Sequence, residues 1–408
     1  MKRIILLTLL FQISILTIAQ QNFTLSGTVN DKQGHPLPGA GVYVSGYKIA
    51  TSTNDNGAFS LNLKPGNYDI LVQMMGYKAT NKNVVITDKN QNIQVSLEDN
   101  SVQLNEVTIT ADPHRQGYIK LFTDYFIGTT PNAQQCKILN PEILYVDYDK
   151  GAQSLKVNTT DFLIIENKAL GYRIKYLVNN FEYDFKSRII YYEGYPYYED
   201  LKGSAGKQKK WAEKRVVAYN GSSQHFFASL YQGKATEEGF IIYKLSKIKN
   251  PERPSDAVIS ANVKKFGFQQ GTHGNIQINA GNDSLSYWLK KKKLPETISI
   301  LNRQVVATDT LVHTYDNIFK FLNFTDVLYV MYTKEKEDYM YSSQLNMPIS
   351  RPLDIPNYQI SLVNTLISPI YFYKNGAAYN PRSMLMEGYW AWEKIADSVP
   401  MDYLPPGK

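Results

Sequence analysis

A single cysteine, Cys136, stands in 408 residues, so no intrachain disulfide can brace this chain. Its domains must instead be held by apolar cores, which their size allows. Cys136 reads either as a nucleophile or as a small buried hydrophobe. Histidine is nearly as scarce: His35, His114, His225, His273 and His313, none within four residues of another. Neither H-x-x-E nor H-E-x-x-H occurs, which removes the paired ligands that zinc peptidase chemistry needs. There is no G-x-S-x-G nucleophile elbow and no glycine-rich phosphate loop ahead of a helix. The sequence therefore gives no reason to expect a metal or a cofactor. It holds no long low-complexity tract and no recognisable nucleic-acid-binding motif. Beyond the first twenty residues no apolar run is long enough to span a bilayer.

What is present points to an exported, β-rich chain. The length suggests about two to three domains, and the composition is globular, with 43% hydrophobic and 20% charged residues. Tyrosine is abundant, at 31 residues, and suits both half-buried strands and surfaces that meet polar ligands. Met1-Lys2-Arg3 is a short basic start, Ile4 to Ile18 an apolar stretch, and Ala19 a small residue at its end, which together read as a signal peptide over residues 1–19. Export to the periplasm or outer membrane of a Gram-negative bacterium is the expectation, with no transmembrane segment after cleavage. No cysteine follows the expected cleavage point, which argues against a lipoprotein. Net charge is +7, or +5 without Lys2 and Arg3. Basic clusters at Lys207, Lys209, Lys210 and at Lys290 to Lys293 read as solvated faces, or alternatively as contacts with an anionic envelope surface. Nucleic acid is not an expected partner.

From Phe23 to Leu97 apolar residues alternate in short runs. Phe23, Leu25 and Val29 share one face of "FTLSGTV"; Phe59, Leu61 and Leu63 share one face of "AFSLNL"; Tyr68, Ile70 and Val72 share one face of "YDILVQM". Period-two alternation marks half-buried strands. Asp31 to Gly34, Asp55-Asn56-Gly57 and Pro65-Gly66 supply turns, and Pro36 and Pro38 separate the first two strands. Asp55-Asn56-Gly57 reads as a turn; its residue types would also suit calcium, without the spacing of a calcium-binding loop. About seven strands in about 75 residues predict a small β-sandwich.

The order "SGTVNDKQGHPLPGAGVYVSG" then "TSTNDNGAFSLNLKPGNYDILVQMMGYK" resembles the carboxypeptidase regulatory-like domain, over residues 22–98. The form is similar to the copy at the N-terminus of TonB-dependent outer-membrane receptors of the starch-utilisation type. "LNEVTITA", Leu104 to Ala111, resembles the short TonB-box-like strand that follows the module there, within a connecting segment 99–117. The resemblance implies a seven-stranded transthyretin-like sandwich with a regulatory or adhesive role and no peptidase site. The residues after Ala111 are too few for the plug and barrel of those receptors, so a transporter is not expected.

Residues 118–408 read as a larger β-rich domain with a few helices. "YIKLFTDYFIG" has helical spacing, and a helical section lies near 207–233, broken at Asn220-Gly221, with Ser222 or Ser223 as a cap and His225 beside the core face. Ala257 to about Tyr341 reads as short strands. "MEGYWAWEKIADSVPMDYLPP" reads as a closing helix whose Trp390, Trp392 and Ile395 are either buried anchors or a ligand platform. "YNGSSQHFFASL" and "EGYWAWEKIADSVPMDYLP" resemble the uncharacterised β-rich portion found after the same module in other exported bacterial proteins.

The most ligand-like stretch is "YYEGYPYYED". Tyr191, Tyr192, Tyr195, Tyr197 and Tyr198 beside carboxylates can stack on sugar rings and bond their hydroxyls; the same residues also suit an amphipathic hairpin turning at Gly194-Tyr195-Pro196. Glu182, Asp184, Glu193, Glu199 and Asp200 offer carboxylates but no readable pairing across a cleft. The reading that follows is a non-enzymatic cell-envelope protein. Its N-terminal module would dock or adhere, and its β-rich domain would bind an outer-membrane protein or a glycan. The alternative is a secreted or periplasmic hydrolase of glycan or peptide with its site within 118–408.

Overall fold

The computed structural model describes residues 22–100, 113–270, 276–278, 283–343, 349 and 351–407. The signal-like start and "LNEVTITA" lie outside them. The chain is mainly β. Seven strands build the first unit: β1 (Phe23–Asp31), β2 (Gly41–Val44), β3 (Ala50–Ser52), β4 (Ala58–Leu63), β5 (Gly66–Gln73), β6 (Thr80–Ile86) and β7 (Gln91–Leu97). They form two sheets, β4-β1-β7 and β3-β2-β5-β6, with β1 and β7 parallel and the other pairs antiparallel. Leu25, Val29, Val42, Val44, Leu63, Ile70, Val72, Ile86 and Leu97 fill the space between the sheets. The alternating residues of the sequence are therefore the core of a sandwich. Asp55-Asn56-Gly57 is a turn, closed by Asn54 Oδ1, which accepts from the Asn56 and Ala58 amides at 3.0 Å each.

A second core lies under helix α1 (Arg115–Phe126). Strands β8 (Cys136–Ile138), β9 (Tyr145–Asp149), β10 (Ser154–Asn158), β11 (Leu163–Asn167), β12 (Tyr172–Asp184) and β13 (Ile190–Asp200) make one sheet, with β13 pairing β12. Phe122 and Phe126, four residues apart on one helix face, both pack against Phe181 of this sheet. Helices α2 (Ala205–Tyr219) and α3 (Ser223–Tyr231) follow, as their apolar spacing predicts, and Ser222 caps α3 by accepting from the His225 amide at 3.1 Å. A third core gathers Phe226, Phe227 and Leu230 of α3. They meet β14 (Phe240–Lys249), β20 (Val327–Lys336), β21 (Tyr358–Thr365) and β23 (Met384–Gly388), which run in the sheet β17-β14-β20-β21-β23 with β17 at Thr297–Asn302. Strands β18 (Val312–Thr314), β19 (Phe319–Leu322) and β22 (Ile370–Tyr373) make a smaller sheet beside it. The hairpin of β15 (Phe268–Gln270) and β16 (Ile276–Ile278) completes the strands.

Three sequence expectations change. Residues 257–268 are not a strand for most of their length but helix α4 (Asp256–Gly267), packed on helix α5 (Asp283–Lys293). Ile259, Val263 and Phe266 recur at helical spacing, and Pro254-Ser255-Asp256 is an N-terminal signal that outweighs the β-branched content. The closing segment is not one helix. Strand β23 occupies its first residues, and a four-residue helix, Tyr389–Trp392, and a turn of 3-10 helix, Ile395–Asp397, follow. The stretch Gly194-Tyr195-Pro196 is not a turn, because β13 runs unbroken through it. β13 pairs on one side only, where a proline is tolerated. Gly194 is needed there because a Cβ would come within 2.2 Å of the Leu177 carbonyl, beside the bulge between Val178 and Asn180.

The sandwich is seated on the second region. Tyr43 and Leu71, on the outward face of β2 and β5, pack with Phe162, Leu177, Ile164 and Tyr195. The loop after β2 runs along β13: the Gly46 amide donates to Pro196 O at 2.6 Å, the Tyr198 amide to Tyr47 O at 3.0 Å, and the Met401 amide to Gly46 O at 2.8 Å. Asn67 and Asn375 add side-chain bonds to the Tyr373 and Tyr47 hydroxyls at 2.6 and 2.9 Å.

Residues 389–403 stitch these parts together. Trp390 Nε1 donates to Gly221 O at 2.6 Å, Asn167 donates to Ala396 O at 2.9 Å, and the Tyr198 and Ser398 hydroxyls meet at 2.8 Å. Asp397 accepts from Thr130 at 3.0 Å and Asn132 at 2.9 Å. Trp390, Trp392 and Ile395 are all buried, so both tryptophans are anchors.

Candidate functional site: a lysine-rich cleft

The turn between β11 and β12 sets the floor of a cleft. Gly171 takes φ +72°, a conformation open mainly to glycine, and a Cβ there would lie 2.2 Å from the Trp211 ring. Trp211 of α2 can therefore lie flat on the turn, and its Nε1 donates to Lys168 O at 2.9 Å. One helical turn on, Arg215 donates to the carbonyls of Leu170 and Gly171 at 2.8 and 3.0 Å and sits 3.8 Å over the Tyr172 ring. Trp211, Arg215, Ala218 and Tyr219 thus form the seated face of α2. The neighbouring stripe, at i, i+3 and i+7, is Lys207, Lys210 and Lys214.

That stripe overlooks an open cleft of about 870 Å3, lined also by Gln135, Glu166, Lys168, Arg173, Glu199, Asp200 and Lys202. Its carboxylates are all matched. Glu166 lies 3.4 Å from Lys168 and 3.8 Å from Arg173; Glu199 pairs with Lys175 at 2.7 Å; Asp200 is held by Arg215 and by Lys48 of the sandwich, each at 2.9 Å. Among the described residues Lys202, Lys207, Lys210 and Lys214 make no ion pair. The Nε of Arg173 is buried without a hydrogen-bond partner. Helix α2 has no acidic residue in its first turn, so Lys207 adds charge where the helix dipole is already positive. The arrangement concentrates positive potential in a concavity, and concave, low-dielectric walls focus such a field.

The sequence singled out Lys207, Lys210, Glu199 and Asp200, and the structure brings these together. Lys168, Arg173, Lys202 and Lys214 were not singled out; the seven-residue stripe on α2 was the available signal for Lys214. The five tyrosines are distributed over three environments rather than one platform. Tyr192 and Tyr198 pack into the second core, where burial holds both phenols up at about 12. Tyr195 packs against the sandwich, and the Tyr197 ring meets Tyr43 edge-on with centroids 5.0 Å apart. Tyr191 lies under the Arg382 guanidinium, 3.6 Å from the ring, and donates to Glu193.

Other titratable groups have structural partners. His225 is buried; its Nδ1 faces the Gly221 amide at 3.1 Å and its Nε2 faces Glu238 at 3.3 Å. The Cys136 thiol donates to Asn132 O at 3.5 Å, and burial, with Asp397 nearby, pushes it up to about 12. It is a thiol at neutral pH, without the thiolate character of a nucleophile. Among the described residues no cluster of three or more His, Cys, Asp or Glu could hold a metal ion. Also among them, no helix is long and apolar enough to cross a membrane.

Comparison with solved structures finds short or loosely superposing likenesses. A catechol 1,2-dioxygenase from Acinetobacter sp. is 10% identical, over 21% of this chain and 54% of its own, with a TM-score of 0.19. A DUF3823 family protein from Bacteroides ovatus is 8% identical, over 45% of this chain and 83% of its own, with a TM-score of 0.17. Another from Parabacteroides merdae is 11% identical, over 76% and 89%, with a TM-score of 0.15. In sequence, a viral protein, Structural protein 27 of a virus of the isolate Australia/Victoria, is 34% identical over 74 residues, which are 18% of this chain and 14% of the viral protein. Residues 25–109 match the family model of the CarboxypepD_reg-like domain. The chain thus carries a CarboxypepD_reg-like domain at 25–109, followed by a β-rich region.

Proposed function

We propose that this chain is an exported, non-enzymatic protein of the cell envelope, periplasmic or associated with the outer membrane. Its β-rich region takes a protein or glycan partner in the cleft beside α2. The observation that supports this reading most is the cleft itself, an open space of about 870 Å3 walled by side chains from several separate segments. Its size suits a ligand site. The sandwich contributes Lys48, which pairs with the cleft residue Asp200 at 2.9 Å. In this reading the module has two roles. Its β2 and β5 face braces β13, and the outward face of β4-β1-β7, with Ser60, Asn62, Asn92 and Gln94 exposed, is left for docking or adhesion.

The test is crosslinking of the tagged mature chain in intact envelopes, with a glycan panel run on the purified chain. Recovery of an outer-membrane protein or an envelope glycan, lost when Lys210 and Lys214 are changed to glutamate, supports the reading. Steady turnover of an envelope polymer by the purified chain would replace it with a hydrolase.

A further inference from the structure

We infer that the ligand of this cleft is an acidic oligosaccharide, one whose sugars carry carboxylate or phosphate groups. The inference rests on the proposed role of the cleft as a binding site, and it specifies the chemistry of what binds.

The first argument is charge that nothing in the protein balances. Every carboxylate in the lining already has a cation, and Lys202, Lys207, Lys210 and Lys214 remain unmatched among the described residues. A contrasting cluster shows what a merely solvated face looks like. Lys290 to Lys293 occupy the last turn of α5, where the helix dipole favours cations; Lys291 is paired with Glu252 at 2.9 Å, and the other three, though also without an ion pair among the described residues, do not line this cleft. The α2 lysines start in the first turn of their helix, where the dipole disfavours them, run past its middle, and line a concavity. Like charges held together in a recess repel one another, and an anion placed among them removes that cost.

The second argument is length. Lys207 and Lys214 are seven residues apart on one helix, a rise of about 10 Å. A small inorganic anion meets both only if the two long side chains bend toward each other, at a cost in side-chain freedom, whereas a chain of two or three sugars with spaced acid groups meets each without that convergence.

The third argument is the mixture of groups. The lining places Gln135, Glu166 and Glu199 among the lysines. Carboxylate oxygens accept hydrogen bonds from hydroxyls, which a sugar supplies in number and an acidic peptide does not. The half-exposed guanidinium of Arg173, which also lines the cleft, adds a fork of donors for a carboxylate or phosphate oxygen.

The test is calorimetric titration of the full mature chain with four probes: a galacturonate hexamer, a deacylated phosphorylated lipopolysaccharide core, a neutral galactan oligomer of similar length, and a polyglutamate peptide. The expected result is binding of at least one acidic glycan and at least tenfold weaker binding of the neutral one. The K207Q/K210Q/K214Q variant, checked for an unchanged melting temperature, should lose at least tenfold in affinity and show a shallower salt dependence. The K290Q/K292Q/K293Q variant should bind as the parent does. Preference for the galacturonate or for the phosphorylated core supports the inference either way and identifies the acid. Equal binding of the neutral oligomer, unaffected by the α2 substitutions, overturns the acidic ligand and leaves a glycan-binding protein standing. Polyglutamate binding as tightly as the acidic glycans overturns the sugar. Binding of no probe, together with an empty envelope crosslink, removes both the inference and the function on which it rests.

Discussion

Replacing Leu71 should separate the sandwich from the rest of the chain without unfolding it. Leu71 is 1% exposed, yet it is not part of the sandwich core. On β5 the inward residues are Tyr68, Ile70 and Val72; Leu71 points the other way, onto Phe162 and Leu177. Truncating a buried leucine to alanine costs about 2–5 kcal/mol. Taking about 3 kcal/mol, the ratio of docked to undocked sandwich falls about a hundredfold. Leu71→Asp goes further, because it sets a carboxylate among the apolar side chains of Phe162, Leu177 and Tyr43, where desolvation costs more than the lost contacts. Two measurements read the effect. Calorimetry should show the sandwich and the second region melting as separate transitions in L71D, with the sandwich transition near its own stability. Small-angle scattering should show a larger radius of gyration. A scattering profile identical to the parent, or a sandwich that itself unfolds in L71D, would refute the assignment of Leu71 to the interface.

Stability should rise as the pH falls from about 8 to about 5, read as the midpoint of urea unfolding. Burial raises Asp397 to about 6 and Glu335 to about 7, and Glu393, packed close to both, well above the usual range. Groups with raised folded values contribute stability that is lost as pH climbs through those values. For Asp397 the shift corresponds to about 2–3 kcal/mol at most, and a midpoint that drops steadily from pH 8 to 5 would contradict this. Below about pH 4 the trend reverses, because Asp149 and Asp184, which accept backbone amides, and Glu98, beside Lys32, are held below their ordinary values. Trp390→Ala should cost about 3–5 kcal/mol in chemical denaturation, since it removes a ring of the third core and the partner of Gly221 O; a loss under about 1 kcal/mol would mean the tail is not an anchor.

The alternating cores of β1, β4 and β5 were legible because each strand has one wet face and one dry one, so hydrophobic period reports orientation directly. The docking face was legible in principle. Leu71 breaks the alternation of "YDILVQ", and Tyr43 stands between two inward valines; an apolar residue on the wet face of a strand needs a second surface to cover it. Helix α4 was hidden by Val258, Ile259 and Val263, whose branched side chains favour strands, while the deciding information lay in its cap and in its packing on α5. The cleft was only half legible. The lysines of α2 share a stripe that period reveals, but Lys168, Arg173 and Asp200 reach them through sheet register and through the turn at Gly171. The tyrosine run was not sorted from sequence because Gly194-Tyr195-Pro196 reads as a turn; with β13 unbroken, period two puts Tyr192 and Tyr198 on the core face and Tyr191, Tyr195 and Tyr197 on the other.

Synthesis order gives the stitch formed by residues 389–403 a meaning in time. Every strand that it joins precedes it in the chain. The sandwich has a complete core by Leu97 and can close early. The second and third cores wait for Trp390 and for Ile395 to Val399, and the loop at Gly46 waits for Met401. Until those residues emerge, the chain holds one finished core and two open ones. Arrested or truncated forms should therefore be captured by holdase chaperones through the later region, and the Lys48–Asp200 pair at the cleft, which needs the seated sandwich, should be among the last contacts of the molecule to form.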